Sequence, residues 1–143
     1  MLIREFIPND LNKVHEIHCM SFDEIYDKLM FQKLYDIGSG FLVAEEEGEV
    51  IGYILFWIKD EGVGHIISIA VDKEYRHLQA GSKLLAKALT LFKACNLEKV
   101  TLEVRKSNKI AIGFYKKFNF VVDRVVPNYY NDNESAVIMY FLF

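Results

Sequence analysis

The sequence predicts a mixed α/β fold, a mostly antiparallel sheet of seven strands flanked by about four helices, and three observations predict it. Apolar runs separated by the turns Glu46-Glu47-Gly48 and Asp60-Glu61-Gly62 mark an antiparallel meander. The order strand, helix, strand between His65 and Arg105 implies a right-handed crossover and hence one parallel pair. Two further apolar runs around a loop rich in turn formers, Pro127 to Asn133, close the chain as a hairpin. A chain of 143 residues, 52% of them hydrophobic, suffices for one core and is short for two ordinary domains, so residues 1–143 are expected to form a single domain.

Taken in order, Leu2 to Phe6 reads as a short strand. Pro8-Asn9-Asp10 ends it and caps a helix on which Leu11, Val14, Ile17 and Phe22 keep helical spacing. Leu29, Met30, Lys33 and Leu34 form a second helical pattern ahead of Gly38-Ser39-Gly40. Strands follow at Phe41 to Glu45, Val50 to Trp57 and His65 to Val71. In the last of these Ile66, Ile67, Ile69, Ala70 and Val71 make the nearly continuous apolar run of a central strand covered on both faces. From Gly81 onward Leu84, Leu85, Ala88, Leu89, Phe92 and Cys95 line one face of a helix. The strand Lys99 to Arg105 alternates, with Val100, Leu102 and Val104 on one side and Thr101, Glu103 and Arg105 on the other. Asn108 to Phe118 gives a fourth helix with Ala111, Phe114, Tyr115 and Phe118 on one face, and Phe120 to Val126 and Ser135 to Phe143 are the closing strands.

A net charge of −3 and a pI near 5.8 argue against a nucleic-acid binder held by phosphate contacts, so any anionic ligand must be held locally. The N-terminus is charged within four residues and has no apolar signal core, and the longest apolar run, Val50 to Ile58, is too short to cross a bilayer. A soluble, cytoplasmic protein with no membrane partner is the expectation. Cys19 and Cys95 lie in no paired motif, which suits a reducing compartment. His15, His18 and Cys19 share a spacing suited to metal ligation, but the sequence offers no fourth ligand, and no metal is expected.

The segment Gly64 to Leu85, GHIISIAVDKEYRHLQAGSKLL, runs from an apolar strand through a charged turn into a helix that opens on small residues. The first N–H groups of such a helix lack intrahelical partners, and the helix dipole and Arg76 add positive potential. Residues Arg76, His77, Leu78, Gln79, Ala80, Gly81 and Ser82 therefore read either as a cradle for a pyrophosphate or as a capped helix start with a solvated arginine. The segment resembles the acetyl-coenzyme A motif of the GNAT superfamily of N-acetyltransferases, whose turn reads Arg or Gln, two variable residues, Gly, one variable residue, then Gly or Ala. Arg76 and Gly81 match. Gln79 departs, standing at the first glycine position, where the family brings backbone close to the pyrophosphate, and His77 and Leu78 replace basic residues common there. Either the Gln79 side chain points outward or the cofactor is held less tightly.

Leu102 to Phe120 and Pro127 to Tyr140 resemble the N-terminal amine acetyltransferases of the RimI and Ard-type branch, so the likeness covers nearly the whole chain. The resemblance implies a sheet splayed between the strands holding Ile69 and Thr101. It also implies acetyl-coenzyme A as co-substrate, its pantetheine arm along the backbone of Ile69, Ala70 and Val71 and its coenzyme portion touching Asn108. Tyr115 matches the general acid that protonates the departing thiolate, a phenol of pKa about 10 serving a thiol of about 8.5. Read without the resemblance, Tyr115 is a packed aromatic and Asn108 a helix cap. Three residues are candidates for the general base. Glu103, ranked first, matches the carboxylate of RimI-type enzymes. Glu24 lies in Phe22-Asp23-Glu24-Ile25-Tyr26, aligned with the substrate loop Leu-Pro-Glu-Asn-Tyr of Ard-type enzymes, and His65 is placed to relay a proton through water. Phe22, Glu24, Tyr26, Tyr129 and Tyr130 are implied to meet the acceptor, although the two adjacent tyrosines also suit plain packing in a turn-rich loop.

The resulting expectation is direct acetyl transfer to a primary amine, foremost the α-amino group of a protein N-terminus, whose pKa of about 8 makes it far easier to deprotonate than a lysine amine of about 10.4. The alternatives are a lysine or small-amine acetyltransferase, which shares the cofactor half, and a non-catalytic acyl-coenzyme A sensor, motivated by Gln79. The sequence leaves monomer, homodimer and an auxiliary subunit all open.

Overall fold

The computed structural model describes residues 1–143. In chain order its elements are β1 (Leu2–Glu5), α1 (Leu11–Ser21), α2 (Lys28–Asp36), β2 (Gly40–Glu46), β3 (Glu49–Asp60), β4 (Val63–Val71), α3 (Ala80–Ala94), β5 (Lys99–Arg105), α4 (Lys109–Lys117), β6 (Val121–Val126) and β7 (Ala136–Leu142). Short 3-10 helices at Pro8–Asp10 and Lys73–Leu78 lead into α1 and α3. The strands form one seven-stranded sheet in the order β1-β2-β3-β4-β5-β7-β6, so the mixed architecture matches the sequence reading. No helix is long and apolar enough to cross a membrane. The chain divides into two compact units, Met1–Trp57 with Ile66–Phe92, and Ile58–His65 with Lys93–Phe143.

In the first unit β1 and β3 flank β2 antiparallel, with a bulge at Ala44/Glu45. The core is largely aromatic: Phe6 stacks on Phe41 at 4.0 Å, and Phe31 meets Tyr53 edge-on at 5.8 Å. Asp27 caps α2 by accepting the Met30 N–H at 2.8 Å, which sets the helix so that Phe31 is fully buried and Leu34 and Tyr35 pack beside it. Leu29 and Met30, which belong to the helical pattern read from the sequence, are exposed, because the three-and-four spacing of 31, 34 and 35 presents the larger apolar face. Leu84, Leu85, Ala88 and Phe92 of α3 are buried, each leucine contributing about 2 kcal/mol by removal from water. Cys95, read onto that face, falls beyond the end of α3 and is exposed. β4 also departs from expectation: Ser68 and Ala70 are buried, but Ile67, Ile69 and Val71 are only half-buried, so one face of this central strand is partly open.

His18 is the one buried imidazole of this unit, with only 2% of its surface exposed. Its Nδ1 lies 2.8 Å from the Tyr53 hydroxyl, which lies 2.7 Å from Ser68 Oγ. Burial, aided by the charge of His15, lowers its pKa from 6.5 to about 4. Between these values the unfolded chain takes up a proton that the folded chain refuses, so stability falls as pH drops from 6.5 to 4 and this contribution levels off below. The loss corresponds to about 3 kcal/mol. Urea unfolding at pH 7 and pH 4 checks it: the acid loss in the native protein should exceed that in His18→Gln by this amount.

In the second unit β5 runs parallel to β4 from Val63↔Lys99 to His65↔Thr101, as the crossover reading required, and antiparallel to β7 along its whole length. Val100, Leu102 and Val104 face the core with Ile112, Tyr115, Phe120, Val137 and Met139, all buried. Ile112, not singled out on α4, is buried because it lies one turn before Tyr115 on the same face. Thr101, Glu103 and Arg105 project from the opposite side of β5 and are half-buried. β6 pairs with β7 as the closing hairpin.

Candidate active site

The sequence candidates gather into two groups, one in each unit. In the first, Asp72 ends β4, its N–H donating to Ile51 O at 2.7 Å and its carboxylate accepting the Glu74 N–H at 3.1 Å. The 3-10 turn that follows delivers the chain to Gln79, which adopts the left-handed conformation, φ 60 and ψ 31. This is the geometry that a glycine fits without cost, so the departure at Gln79 is one of side chain and not of backbone path. The side chain is exposed. Gln79 O accepts the Lys83 N–H at 3.1 Å, the first bond of α3, so the N–H groups of Ala80, Gly81 and Ser82 precede the helical ladder and have no intrahelical partner. Exposed Arg76 donates its Nε–H to Val71 O at 3.2 Å, fixing the guanidinium at the end of β4 while using one of the backbone groups expected along the pantetheine arm. His77 is exposed and Leu78 half-buried. Three leading N–H groups, a fifteen-residue helix dipole and one cation suit a diphosphate.

A left-handed residue with a side chain costs about 1 kcal/mol relative to glycine. Gln79→Gly is therefore expected to raise the melting temperature by about 3 °C, measured by thermal denaturation. An unchanged or lowered value would mean that the glutamine side chain compensates the strain.

Phe22, Glu24 and Tyr26, also in the first unit, are half-buried and cluster around His18. The Phe22 and Tyr26 rings each lie 4.9 Å from the imidazole, Tyr26 stacked on it at 18°.

In the second unit the polar face of β5 carries a hydrogen-bonded chain. The register His65↔Thr101 brings His65 Nδ1 within 2.7 Å of Thr101 Oγ1. Its Nε2 lies 2.8 Å from Glu103 Oε2, and the Tyr129 hydroxyl donates to Glu103 Oε1 at 2.8 Å. Burial pushes the Glu103 pKa up, but the hydrogen bond and charge of His65, the Tyr129 hydroxyl and the charge of Lys59 outweigh it, and the net shift is downward. Glu103 is thus a carboxylate at neutral pH, with both oxygens held by donors.

Tyr115 is buried against Phe114 at 5.3 Å and Phe120 at 5.7 Å. Burial, with the nearby Tyr130, pushes its pKa above the ordinary phenol value, so it keeps its proton throughout the physiological range. Tyr130 is pushed up to about 12, chiefly by burial and then by the charge of Glu103. Asn108 caps α4, its Oδ1 accepting the Ala111 N–H at 3.1 Å, which realises the helix-cap reading of this residue. The loop carrying Tyr129 and Tyr130 is pinned by Arg105, which pairs with Asp132 at 2.9 Å and Glu134 at 2.8 Å and places its guanidinium 4.3 Å from the Tyr130 ring. Both tyrosine N–H groups donate to Glu134 O. The two aromatics therefore differ: Tyr130 packs on a cation, whereas exposed Tyr129 reaches the carboxylate. Thr101, Arg105 and Glu134 were not singled out as site residues, though the alternation of β5 had placed the first two on the face of Glu103.

Such a turn and such a carboxylate each suit an enzyme of the acyl-transfer class. The chain belongs to the acetyltransferase (GNAT) family, whose pattern matches residues 11–120. It is 37% identical to an N-alpha-acetyltransferase of Sulfolobus acidocaldarius over 92% of this chain and 86% of that protein. It superposes on the crystal structure of Ard1 from Thermoplasma volcanium with a TM-score of 0.94 and 36% identity, covering 99% of this chain and 96% of the other. An acetyltransferase of Bacillus anthracis crystallised with acetyl coenzyme A gives a TM-score of 0.83 at 25% identity over 99% of each chain.

Proposed function

We propose that residues 1–143 act as one catalytic domain that moves the acetyl group of acetyl-coenzyme A to the α-amino group of a protein N-terminus by direct attack. The observation that carries this reading is the chain Thr101–His65–Glu103–Tyr129. The matching relatives, and the neighbour bound to acetyl coenzyme A, support the donor, and the backbone at Gln79 keeps the left-handed path that a glycine would take.

The residues divide the work. Ala80, Gly81 and Ser82 offer N–H groups to the diphosphate, Arg76 offers its charge, and the half-buried edge of β4 at Ile69 and Val71 takes the pantetheine arm. Glu103, with its lowered pKa, is a poor match for an ammonium ion of pKa about 8, but about a tenth of such an amine is already neutral at pH 7. Glu103 takes its proton as the C–N bond forms and the nitrogen turns acidic, while His65 and Tyr129 hold the carboxylate in place. A lysine amine of pKa about 10.4 is neutral in less than about a thousandth of molecules, which favours the N-terminal acceptor. Tyr115 gives its proton to the departing sulfur. Phe22, Glu24, Tyr26, Tyr129 and Tyr130 meet the first residues of the acceptor.

The test is acetylation of peptides with free or blocked N-termini in the presence of acetyl-coenzyme A, read by mass. Incorporation only at the free α-amine is expected. Incorporation into a lysine of the blocked peptide at a similar rate would overturn the acceptor assignment.

A further inference from the structure

We propose that His15 and His18 form a two-imidazole clamp that fixes the backbone of residues 24–26, making them positioning residues for the acceptor loop. The inference rests on the reading above that this loop meets the acceptor, but its geometry stands apart from that reading. The two histidines project from α1 one turn apart. The Tyr26 N–H donates to His18 Nε2 at 3.1 Å, and Tyr26 O lies 3.0 Å from His15 Nε2. Both main-chain groups of one loop residue are thus held by side chains of the same helix.

The donor roles follow from the obligatory N–H of Tyr26. Accepting it, His18 Nε2, which also lies 3.1 Å from Glu24 O, carries no hydrogen, and the ring proton sits on Nδ1 and donates to Tyr53 Oη at 2.8 Å, whose oxygen lies 2.7 Å from Ser68 Oγ. His15 Nε2 carries a proton to serve Tyr26 O. His18 is further wedged between the Phe22 and Tyr26 rings, so the imidazole aligns loop side chains as well as loop backbone. A leucine at position 18 would fill a similar volume and keep the apolar contacts, yet offer neither nitrogen. Leucine removes the acceptor that His18 offers to the Tyr26 N–H, whereas glutamine keeps a polar end at similar reach. The pair of histidines that suggested a metal site in the sequence is thereby accounted for by backbone hydrogen bonding.

The 143-residue protein is compared with His18→Leu, His18→Gln and His15→Leu by amide hydrogen exchange and by steady-state kinetics. The clamp predicts about ten-fold faster exchange at Tyr26 in His18→Leu, a value matching the loss of one or two hydrogen bonds, while β2 and β3 keep their protection. It further predicts a KM for the acceptor peptide raised by a similar factor, an unchanged KM for acetyl-coenzyme A, and substantial rescue in His18→Gln. Unchanged exchange at Tyr26 in a folded variant overturns the clamp. So does a uniform rise in exchange and in both KM values, which marks a merely structural role. Faster exchange at Tyr26 with an unmoved acceptor KM upholds the clamp and overturns the acceptor role of the loop. Should His18→Leu fail to fold, His15→Leu, which alters a half-buried residue and removes the donor to Tyr26 O, decides the matter by the same readouts.

Discussion

Replacing Tyr115 by phenylalanine is expected to lower kcat about a hundred-fold while leaving the fold and the affinity for acetyl-coenzyme A intact. The ring contacts with Phe114 and Phe120 survive the change, since only the hydroxyl is lost. The raised pKa of the phenol does not disqualify it as an acid toward a thiol of about 8.5, because the same exclusion of water that raises one raises the other. What matters is that the proton is present at the moment the carbon–sulfur bond breaks, and burial guarantees this well into the alkaline range. Two measurements follow. Wild-type kcat should show no loss assignable to Tyr115 up to about pH 10, and an acyl donor with a more acidic thiol should narrow the gap between wild type and Tyr115→Phe. Equal turnover by the two proteins with the natural donor would remove Tyr115 from the mechanism and return it to the packed-aromatic reading.

The parts legible in the sequence were those governed by local periodicity. Alternation in Lys99 to Arg105 separated Val100, Leu102 and Val104 from Thr101, Glu103 and Arg105, and the structure keeps that division. The Asn108 cap and the strand-to-helix turn after Val71 were readable for the same reason, since caps and turns depend on a few adjacent residues. What escaped was long-range: the bond from His65 to Thr101 depends on the register of a parallel pair, and the grip of Arg105 on Tyr130 joins residues 25 positions apart. On α2 periodicity itself was ambiguous, because Leu29-Met30 and Phe31 compete for the inner face and the rotation is set by the Asp27 cap together with the aromatic cluster. The conformation of Gln79 belongs to a third kind. The family pattern marked its place as a glycine, yet only the φ angle tells that the backbone follows the glycine path with a different side chain attached.

Replacing Glu103 by glutamine is expected to cost between about a hundred-fold and ten thousand-fold in kcat/KM. The amide is isosteric and half-buried like the acid, so the loss reports the missing proton acceptor and not a cavity. Glutamine also inverts part of the hydrogen-bond pattern: one end must now donate, while His65 Nε2 and the Tyr129 hydroxyl both approach as donors. Part of the defect will therefore be misplacement of Tyr129, and Tyr129→Phe measures that part separately. His65→Gln supplies the decisive pH experiment. His65 heads the groups that hold the Glu103 pKa below its ordinary value against burial, so weakening that interaction lets the pKa rise. A base that must be ionised then fails at higher pH, and the acid limb of the kcat profile should move upward in His65→Gln relative to wild type. If instead His65 were itself the base, its removal would abolish the limb and most of the activity together, whereas a positioning role leaves turnover at alkaline pH close to that of the parent. A Glu103→Gln protein with near wild-type kcat/KM would transfer the base to Glu24, the remaining carboxylate among the candidates.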